Sequence, residues 1–308
     1  MDTDFVSRSF INQVFHMRKK FLDVDLFHAH LPRAELLMRL SKAESGFLVT
    51  RHNTEAFFPK YLNSWSKLLS RFVLQRSLGV VSISAAVKQF LLTSKEISPK
   101  TINKIIYYGY SPRIMNSEKN LLTQKGTKPR IEIGTIGRLT PQKNLELLVQ
   151  FANLLREKGL NSRIRVVGEG PDRSYLENRV RSLNLMSEIQ FLGRMNDVFP
   201  FLNSLEFFVL TSNYEGLGLV LLEAMDAGLP IIAPRNSAIP EVLGDDHPGL
   251  FETGNLNSLL STFMTMLTNK STRQSTVDIQ SQRLNRFSME NYFERHHDFY
   301  NQVLDFTR

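Results

Sequence analysis

From residue 131 onward, short apolar runs alternate with longer stretches whose apolar residues recur at helical spacing. This alternation predicts βαβ units around a parallel sheet, because each parallel strand is followed by a crossover helix. Three of the apolar runs lack polar alternation, as expected of strands that are covered on both faces. The predicted strands are residues 131–136, 163–168, 189–193, 206–212 and 230–234. The predicted helices are residues 144–159 and 172–184, a helix that ends near Gly228, and a terminal helix over about 287–306.

The first 130 residues show a weaker form of the same pattern, with predicted strands at residues 25–30, 47–52, 80–84 and 104–109. A polar stretch over residues 117–130 contains a glycine and a proline and is the predicted linker. We therefore predict an α/β protein of two Rossmann-like domains with doubly wound parallel sheets, residues 1–126 and 127–308. Two such domains that face each other would form a ligand cleft at the carboxyl ends of their strands.

The amino-acid composition excludes several kinds of functional site. The 308 residues include no cysteine, which excludes disulfides, thiolate metal sites and cysteine nucleophiles. The sequence has no run of about 20 apolar residues and no signal-peptide pattern, so we expect a cytoplasmic protein. The acidic pairs Asp23/Asp25 and Asp245/Asp246 lack the further ligands of a metal site, and we predict neither a metal nor a cofactor.

The net charge of +8 is unevenly distributed along the chain. Residues 1–130 hold 21 Lys and Arg against 9 Asp and Glu, whereas residues 131–308 hold 17 against 21. A basic half is typical of proteins that contact nucleic acid, phosphorylated substrates or an anionic membrane, and equally of a solvated surface.

The N-terminal segment has the pattern of a basic amphipathic helix. Apolar residues recur near helical spacing and three cations follow them: Phe5, Phe10, Val14, Phe15, Arg18, Lys19 and Lys20. Such a helix either lies at an anionic lipid surface or packs on the sheet of its own domain. Both alternatives stay open from the sequence.

The most specific feature of the sequence is the segment NYEGLGLVLLEAMDAG, residues 213–228. Glu215 lies in a loop with two glycines after a predicted strand, and Glu223 lies on the helix that follows. The glycines allow backbone N–H groups to approach a ligand, and the helix N-terminus near Leu219 supplies donors that suit a pyrophosphate. Glu223 can accept hydrogen bonds from a ribose diol, and Glu215 can reach the hydroxyls of a hexose.

Two loops of the second half add cations and a further glycine turn. The segment GRLTPQKNLELL (137–148) places Arg138 and Lys143 around a loop after the first strand of this half. Sugar transfer from a nucleotide diphosphate builds negative charge on the departing group, which two fixed cations stabilise. The segment VVGEGPD (166–172), with Gly168, is a weaker signal, because such turns are common between a strand and a helix.

Taken together, these segments resemble glycosyltransferase family 4, a group of retaining enzymes with the two-domain GT-B fold. The matching segments follow the order and spacing of that family's C-terminal domain: GRLTPQK, VVGEGPD, FLGRM, TSNYEGLGLVLLEAMDAG and IPEVL. The resemblance is strong over about residues 131–252 and weaker through the terminal helix. In that family the terminal helix packs back on the N-terminal domain, and we expect the same here.

The resemblance also implies roles for individual residues. Arg138 and Lys143 would hold the donor diphosphate, and Glu223 would bind the ribose. Glu215 would bind the donor sugar as a catalytic residue, and no metal would take part. The remaining substrate-binding positions implied by the match are Gly168, Gly216, Leu217, Gly218, Leu219 and Val220.

The N-terminal half resembles the family less completely. FHAHLPRAE (27–35), LVTRHNTE (48–55) and VVSISAAVKQFL (80–91) look like segments at the ends of the family's strands. His30 matches a histidine that in the family points into the cleft beside the reacting sugar. The resemblance implies that His30 positions or polarises the substrate, because the donor phosphate itself can accept the acceptor proton.

Three departures from the family pattern are visible. Only about 26 residues precede the HAH segment and the first glycine is Gly46, so we expect the opening strands of the N-terminal domain to be missing. Tyr108 precedes Gly109 where the family has Asn. Before the IPEVL segment, residues 236–238 read Asn-Ser-Ala in place of a small glycine pair. The first departure bears on activity itself, and the others on donor or acceptor preference.

The sequence therefore predicts a retaining, metal-independent glycosyltransferase of hexosyltransferase type. It would move a sugar from a nucleotide-diphosphate sugar to a lipid-linked or saccharide acceptor, in polysaccharide or glycolipid biosynthesis. Peripheral contact with the inner face of the membrane stays open as one alternative, and we expect no nucleic-acid partner. The alternative is a truncated, non-catalytic relative that keeps nucleotide-sugar binding. A sugar-nucleotide epimerase is a third reading, but the acid and base carboxylates it would need in both domains cannot be assigned.

Overall fold

The computed structural model describes residues 9–20, 24–41, 46–55, 63–113 and 130–305. The chain divides into two compact units: residues 1–109 with 289–308 form the first, and residues 110–288 form the second. The chain thus leaves the first unit after Gly109 and returns to it at Met289. The predicted domain boundary between residues 126 and 127 lies outside the described residues.

Both units consist of parallel strands and helices. The strands are β1 (Phe27–His30), β2 (Phe47–Arg51), β3 (Gly79–Ser82), β4 (Asn103–Ile105), β5 (Ile131–Ile136), β6 (Ser162–Val167), β7 (Ile189–Gly193), β8 (Phe207–Val209), β9 (Ile231–Pro234) and β10 (Leu250–Phe251). The helices are α1 (Phe10–Lys20), α2 (Pro32–Ser41), α3 (Asn63–Leu74), α4 (Ala85–Thr93), α5 (Leu145–Glu157), α6 (Arg173–Ser182), α7 (Phe199–Asn203), α8 (Leu219–Asp226), α9 (Ile239–Leu243), α10 (Leu256–Thr268), α11 (Lys270–Leu284) and α12 (Met289–Asp305). In this part of the chain, no helix combines the length and the apolar character needed to cross a membrane.

The first unit contains a parallel four-stranded sheet in the order β1-β2-β3-β4. Every residue of β2 and β3 is buried, as expected of central strands that are covered on both faces. β3 ends at Ser82, two residues earlier than predicted, because Ser84 instead caps α4. The Ser84 hydroxyl accepts a hydrogen bond from Val87 N at 3.1 Å, which satisfies a free donor of the first helical turn.

The terminal helix α12 belongs to the first unit. Phe299 and Val303 are buried in one cluster with Leu48 and Ile106 of the sheet region. Phe299 also occupies the space beside Gly79, since a β-carbon at that glycine would lie 2.8 Å from the phenyl ring. The last helix of the chain therefore completes the core of its first unit.

The second unit contains a parallel six-stranded sheet in the order β10-β9-β8-β5-β6-β7. Numbered within the unit, this is the 3-2-1-4-5-6 order of the doubly wound dinucleotide-binding fold. Its core includes Phe151, Phe207 and Phe263, with ring centroids 5.3 Å apart for Phe151–Phe263 and 5.1 Å for Phe207–Phe263. The strands β5 and β8 are neighbours from which the chain winds in opposite directions. The loops after these two strands therefore form the switch point at which such folds bind ligands.

Two strands end three or more residues before the predicted boundary. β8 covers Phe207–Val209 instead of 206–212. Leu210 still donates to Ile232 O of β9 at 2.9 Å, but the Thr211 hydroxyl already bonds Lys143 O at 2.9 Å in the neighbouring loop. β4 likewise ends at Ile105 instead of residue 109.

Several elements of the second unit are absent from the sequence prediction. They are α7, α9, α10, α11 and β10. Two of them carried a readable signal, because Asn255 caps α10 and Asn269 caps α11 by accepting from backbone N–H groups three residues on, both at 3.0 Å.

Candidate functional site

The candidate site of the second unit begins with two loops that pack backbone to backbone. Gly137 N donates to Val167 O at 3.0 Å, and Leu139 N donates to Glu169 O at 3.0 Å. Gly168 has a φ of +138°, and a β-carbon there would lie 1.9 Å from Gly137 O. Only glycine fits this position. Gly168 therefore holds the loop after β5 against the loop after β6.

The loops after β5 and β8 are joined by hydrogen bonds of several kinds. Asn213 N donates to Gln142 O at 2.8 Å, and the Gln142 side-chain amide donates to Tyr214 O at 3.0 Å. Thr211 contributes the bond to Lys143 O described above. These hydrogen bonds fix the positions of the two loops of the switch point relative to each other.

Lys143 and Glu215 form a largely buried ion pair across this switch point. Lys143 Nζ lies 2.6 Å from Glu215 Oε1, and the two side chains are 15% and 6% exposed. The Ser212 hydroxyl donates to the same oxygen at 2.6 Å. The pair brings together two residues that are far apart in the sequence and that the sequence analysis assigned to one ligand.

The backbone of Glu215 is held by a residue that the sequence analysis noted only as a departure. Glu215 N donates to the Ser237 hydroxyl at 2.8 Å. Ser237 has a φ of +43°, in the left-handed region that favours glycine. The chain therefore keeps a glycine-like conformation at this position while it gains a hydroxyl that anchors the Glu215 loop.

The segment from Gly216 to Val220 leads from this pair into α8. Gly216 and Leu217 are buried, whereas Leu219 is 46% exposed. Gly218 has a φ of +85° and precedes the helix without a side-chain cap. The first backbone N–H groups of α8 are therefore uncapped, and the positive end of the helix dipole lies beside them.

Glu223 lies one turn into α8 and is partly buried. Burial raises the pKa of its carboxyl, and the nearby Arg113 partly offsets this effect. One turn further on, Asp226 accepts hydrogen bonds from the Tyr110 hydroxyl and from Arg113 N, both at 2.9 Å. Tyr110, Arg113 and Asp226 were missed by the sequence analysis, which had no signal for a contact over more than 100 residues.

Arg138 lies exposed on the loop after β5. Its side chain makes no hydrogen bond or ion pair to the residues that the structure describes. Within the same residues, no hydrogen bond or ion pair links Arg138 or Glu223 to the Lys143–Glu215 pair. The structure thus brings Lys143 and Glu215 into contact and leaves Arg138 and Glu223 on the neighbouring loop and helix.

His30, the candidate residue of the first unit, is exposed at the carboxyl end of β1. Its Nδ1 lies 3.1 Å from Nε2 of His52, which follows β2. Burial, together with the nearby His296, lowers the pKa of His30. The ring of His28 lies 4.4 Å from that of His30 by centroids, but both nitrogens of His28 are already hydrogen-bonded.

Sequence reasoning missed the histidines that surround His30. Burial and the neighbouring imidazoles lower the pKa of His28 to about 3, and burial lowers that of His52 to about 4. A histidine at the end of a predicted strand was the available signal for His52. Across the described part of the chain, no group of three or more His, Asp or Glu side chains is arranged to hold a metal ion.

Solved structures share this fold. The crystal structure of Anabaena Alr3699/HepE in complex with UDP aligns with a TM-score of 0.81 at 18% identity, covering 94% of this chain and 82% of that one. The protein therefore has the α/β fold of the GT-B glycosyltransferases.

The sequence comparisons identify the family. The model for glycosyl transferases group 1 matches residues 118–282, which is more than half of the chain. This protein belongs to the glycosyl transferases group 1.

Two curated relatives show how much of a whole enzyme the chain spans. Sulfoquinovosyl transferase SQD2 of Arabidopsis thaliana is 26% identical over 81% of this chain and 51% of its own length. N-acetyl-alpha-D-glucosaminyl L-malate synthase of Bacillus anthracis is 27% identical over 75% of this chain and 62% of its own length. The chain thus spans about half to three fifths of these two relatives.

Proposed function

We propose that this protein is a retaining, metal-independent glycosyltransferase that moves a hexosyl group from a nucleotide-diphosphate sugar to a saccharide or lipid-linked acceptor. The observation that carries the proposal is the buried Lys143–Glu215 pair at the switch point of the second unit, next to the uncapped N-terminus of α8. A cation, a carboxylate and free backbone donors at one place suit a sugar joined to a diphosphate.

The two cations and the N-terminus of α8 bind the diphosphate of the donor. Its negative charge grows as the bond to the sugar breaks, so fixed positive charge stabilises the transition state more than the bound donor. Arg138 is exposed and has no described partner, which leaves all its donors available to phosphate oxygens. Lys143 and the N–H groups of Leu219 and Val220 add further donors. Two cations and a helix dipole supply the charge that a metal would otherwise supply.

Glu215 is suited to the sugar. Within the described residues, both hydrogen bonds to its carboxylate reach Oε1, from Lys143 and from Ser212. The second oxygen, Oε2, stays available to accept from a hexose hydroxyl. Because Lys143 and Ser212 hold Oε1, the carboxylate has a fixed orientation before the sugar binds.

Glu223 is suited to the ribose of the donor. It is partly buried one turn from the proposed diphosphate position, and a carboxylate can accept two hydrogen bonds from a diol. The Anabaena structure, which shares the fold, contains UDP. That bound nucleotide supports a nucleoside diphosphate as the leaving group here.

We extend the proposal to the acceptor side, with contact between α1 and an anionic membrane surface. Ile11 and Phe15 lie four residues apart on α1 and are 65% and 56% exposed, so they project from the same side of the helix. Gln13 is buried and accepts a hydrogen bond from Arg33 at 3.3 Å. Phe5 of the predicted amphipathic pattern lies outside the described residues. Sedimentation with anionic and neutral vesicles tests the contact, which should weaken as salt rises and be absent on neutral lipid.

A panel of nucleotide sugars tests the enzymatic proposal. The protein is incubated with each compound, and thermal stability and release of free sugar are measured with and without EDTA. A donor at 100 times its Kd should add about 2.7 kcal/mol to the free energy of unfolding. Stabilisation without sugar release or transfer would indicate a non-catalytic nucleotide-sugar-binding protein. Absence of stabilisation by every compound would contradict the site.

A further inference from the structure

Three side chains at the carboxyl edge of the first unit's sheet form one hydrogen-bonded chain. The Tyr108 hydroxyl makes a short hydrogen bond to His52 Nδ1. His52 Nε2 lies 3.1 Å from His30 Nδ1. Tyr108 and His52 are partly buried, and their rings stack with an interplanar angle of 13°, whereas His30 is exposed. The hydrogen-bonded chain therefore runs from the partly buried phenol of Tyr108 to the exposed imidazole of His30.

The phenol of Tyr108 determines which atom donates and which accepts in each hydrogen bond of this chain. Burial, with a contribution from Tyr292, raises the pKa of Tyr108 to about 12, so its hydroxyl keeps its proton at neutral pH. A partly buried hydroxyl needs an acceptor for that proton, and among the described residues His52 Nδ1 is its hydrogen-bond partner. The opposite arrangement, with His52 donating to the phenol oxygen, would leave the hydroxyl proton without an acceptor among the described residues.

The remaining protons are then determined. A neutral imidazole carries one N–H, so His52 with an accepting Nδ1 has its proton on Nε2 and donates it to His30 Nδ1. His30 in turn has its proton on Nε2. Burial lowers the pKa of both histidines, which agrees with one proton on each ring at neutral pH.

We propose that Tyr108 and His52 are positioning residues that hold His30 in the tautomer with its proton on Nε2. His30 then presents a neutral hydrogen-bond donor to a hydroxyl or phosphate oxygen, and it has no free lone pair with which to act as a base. The catalytic meaning of this arrangement rests on the proposed function, in which the substrate carries both kinds of oxygen. It also gives a role to Tyr108, which stands where the family resemblance leads one to expect Asn.

The tautomer is measured directly by NMR on the full chain labelled with ¹⁵N-histidine at pH 7.5. His30→Gln identifies the His30 signals by their loss. In the wild type we expect a protonated Nε2 and an unprotonated Nδ1 for His30. Tyr108→Phe removes the hydroxyl that begins the hydrogen-bonded chain. The ¹⁵N chemical shifts of the two His30 ring nitrogens should then move toward the average of the two tautomers.

Tyr300→Phe is the matched control. It removes a hydroxyl from the same histidine cluster, but that hydroxyl is hydrogen-bonded to His28 Nδ1 at 2.8 Å. His28 is not part of the hydrogen-bonded chain from Tyr108 to His30. This variant should leave the His30 signals unchanged. A wild-type His30 with its proton on Nδ1, or His30 signals that Tyr108→Phe does not move, would overturn the inference.

Kinetics separate this inference from the proposed function. With a donor that the wild type uses, Tyr108→Phe should lower kcat about tenfold and leave the donor KM unchanged, while Tyr300→Phe changes neither. A shifted tautomer with unchanged kcat would refute the positioning role. If the wild type transfers no sugar, the proposed function fails, and the NMR result still decides whether the tautomer is fixed.

Discussion

Replacing Lys143 with alanine separates the contribution of this side chain to stability from its contribution to transfer. Lys143 Nζ lies 2.6 Å from Glu215 Oε1, with 15% and 6% of the side chains exposed. The substitution leaves the carboxylate with Ser212 as its described side-chain partner. Deleting one member of a buried ion pair costs about 3–5 kcal/mol. Because Lys143 is partly exposed and Ser212 remains, we expect the free energy of unfolding to fall by about 2–3 kcal/mol.

The same substitution removes a cation from the proposed leaving group. A hydrogen bond to a charged group contributes about 1.5–3 kcal/mol, so its loss in the transition state lowers kcat roughly ten- to hundredfold. The donor Kd should change less than kcat, because the charge on the diphosphate grows as the bond to the sugar breaks.

Arg138→Ala is the matched comparison on the same loop. Arg138 is exposed, and its side chain has no hydrogen bond or ion pair to the described part of the chain. Its removal should therefore change the free energy of unfolding by no more than about 0.5 kcal/mol. The loss in kcat should be similar to that of Lys143→Ala, since both cations serve the diphosphate.

Urea denaturation and steady-state kinetics on the same preparations measure both effects. Adding Glu215→Gln to Lys143→Ala removes the uncompensated charge, so the double variant should be less destabilised than the sum of the single variants. Equal stability of Lys143→Ala and the wild type would show that the ion pair contributes nothing. Undiminished turnover in both alanine variants would refute the role of the two cations.

Three further predictions concern the donor, the metal and pH. Glu223→Gln should weaken nucleoside diphosphate binding by about 1–3 kcal/mol in calorimetry, the size of a hydrogen bond to a charged group, and unchanged affinity would argue against a ribose contact. EDTA should leave transfer intact, and activity that returns only with added metal would contradict the charge argument above. His247, whose pKa burial lowers to about 4, favours the folded state only when neutral. His247 alone should therefore contribute about 2–3 kcal/mol to the loss of stability from pH 7 to pH 4.5. His247→Gln should flatten this decline in urea denaturation experiments.

The presence of β8 and β9 in the second unit could be predicted because every residue of these two strands is buried, as expected of strands covered on both faces. β5 and β7 have the predicted bounds, Ile131–Ile136 and Ile189–Gly193, although both strands contain polar residues and are only partly buried. The contact between Lys143 and Glu215 could be anticipated for a related reason. Both follow strand ends, and strand order places those ends together.

What the sequence could not predict depends on contacts between distant residues. The role of Ser237 requires its hydroxyl to meet the backbone of Glu215, and no local pattern encodes that contact. The link from Tyr108 through His52 to His30 likewise joins segments that follow three different strands. Hydrophobic periodicity reports which face of an element is buried, but it does not report which polar groups meet.

The return of α12 to the first unit has a consequence for how the chain folds as it is synthesised. Residues 110–288 form one uninterrupted segment that can fold once it has left the ribosome. The sheet of the first unit is made earlier, but it waits for Phe299 and Val303 to cover Leu48 and Ile106. The unit whose sheet is translated first is therefore completed only after the second unit has been made, and until α12 is synthesised Leu48 and Ile106 lack the cover of Phe299 and Val303.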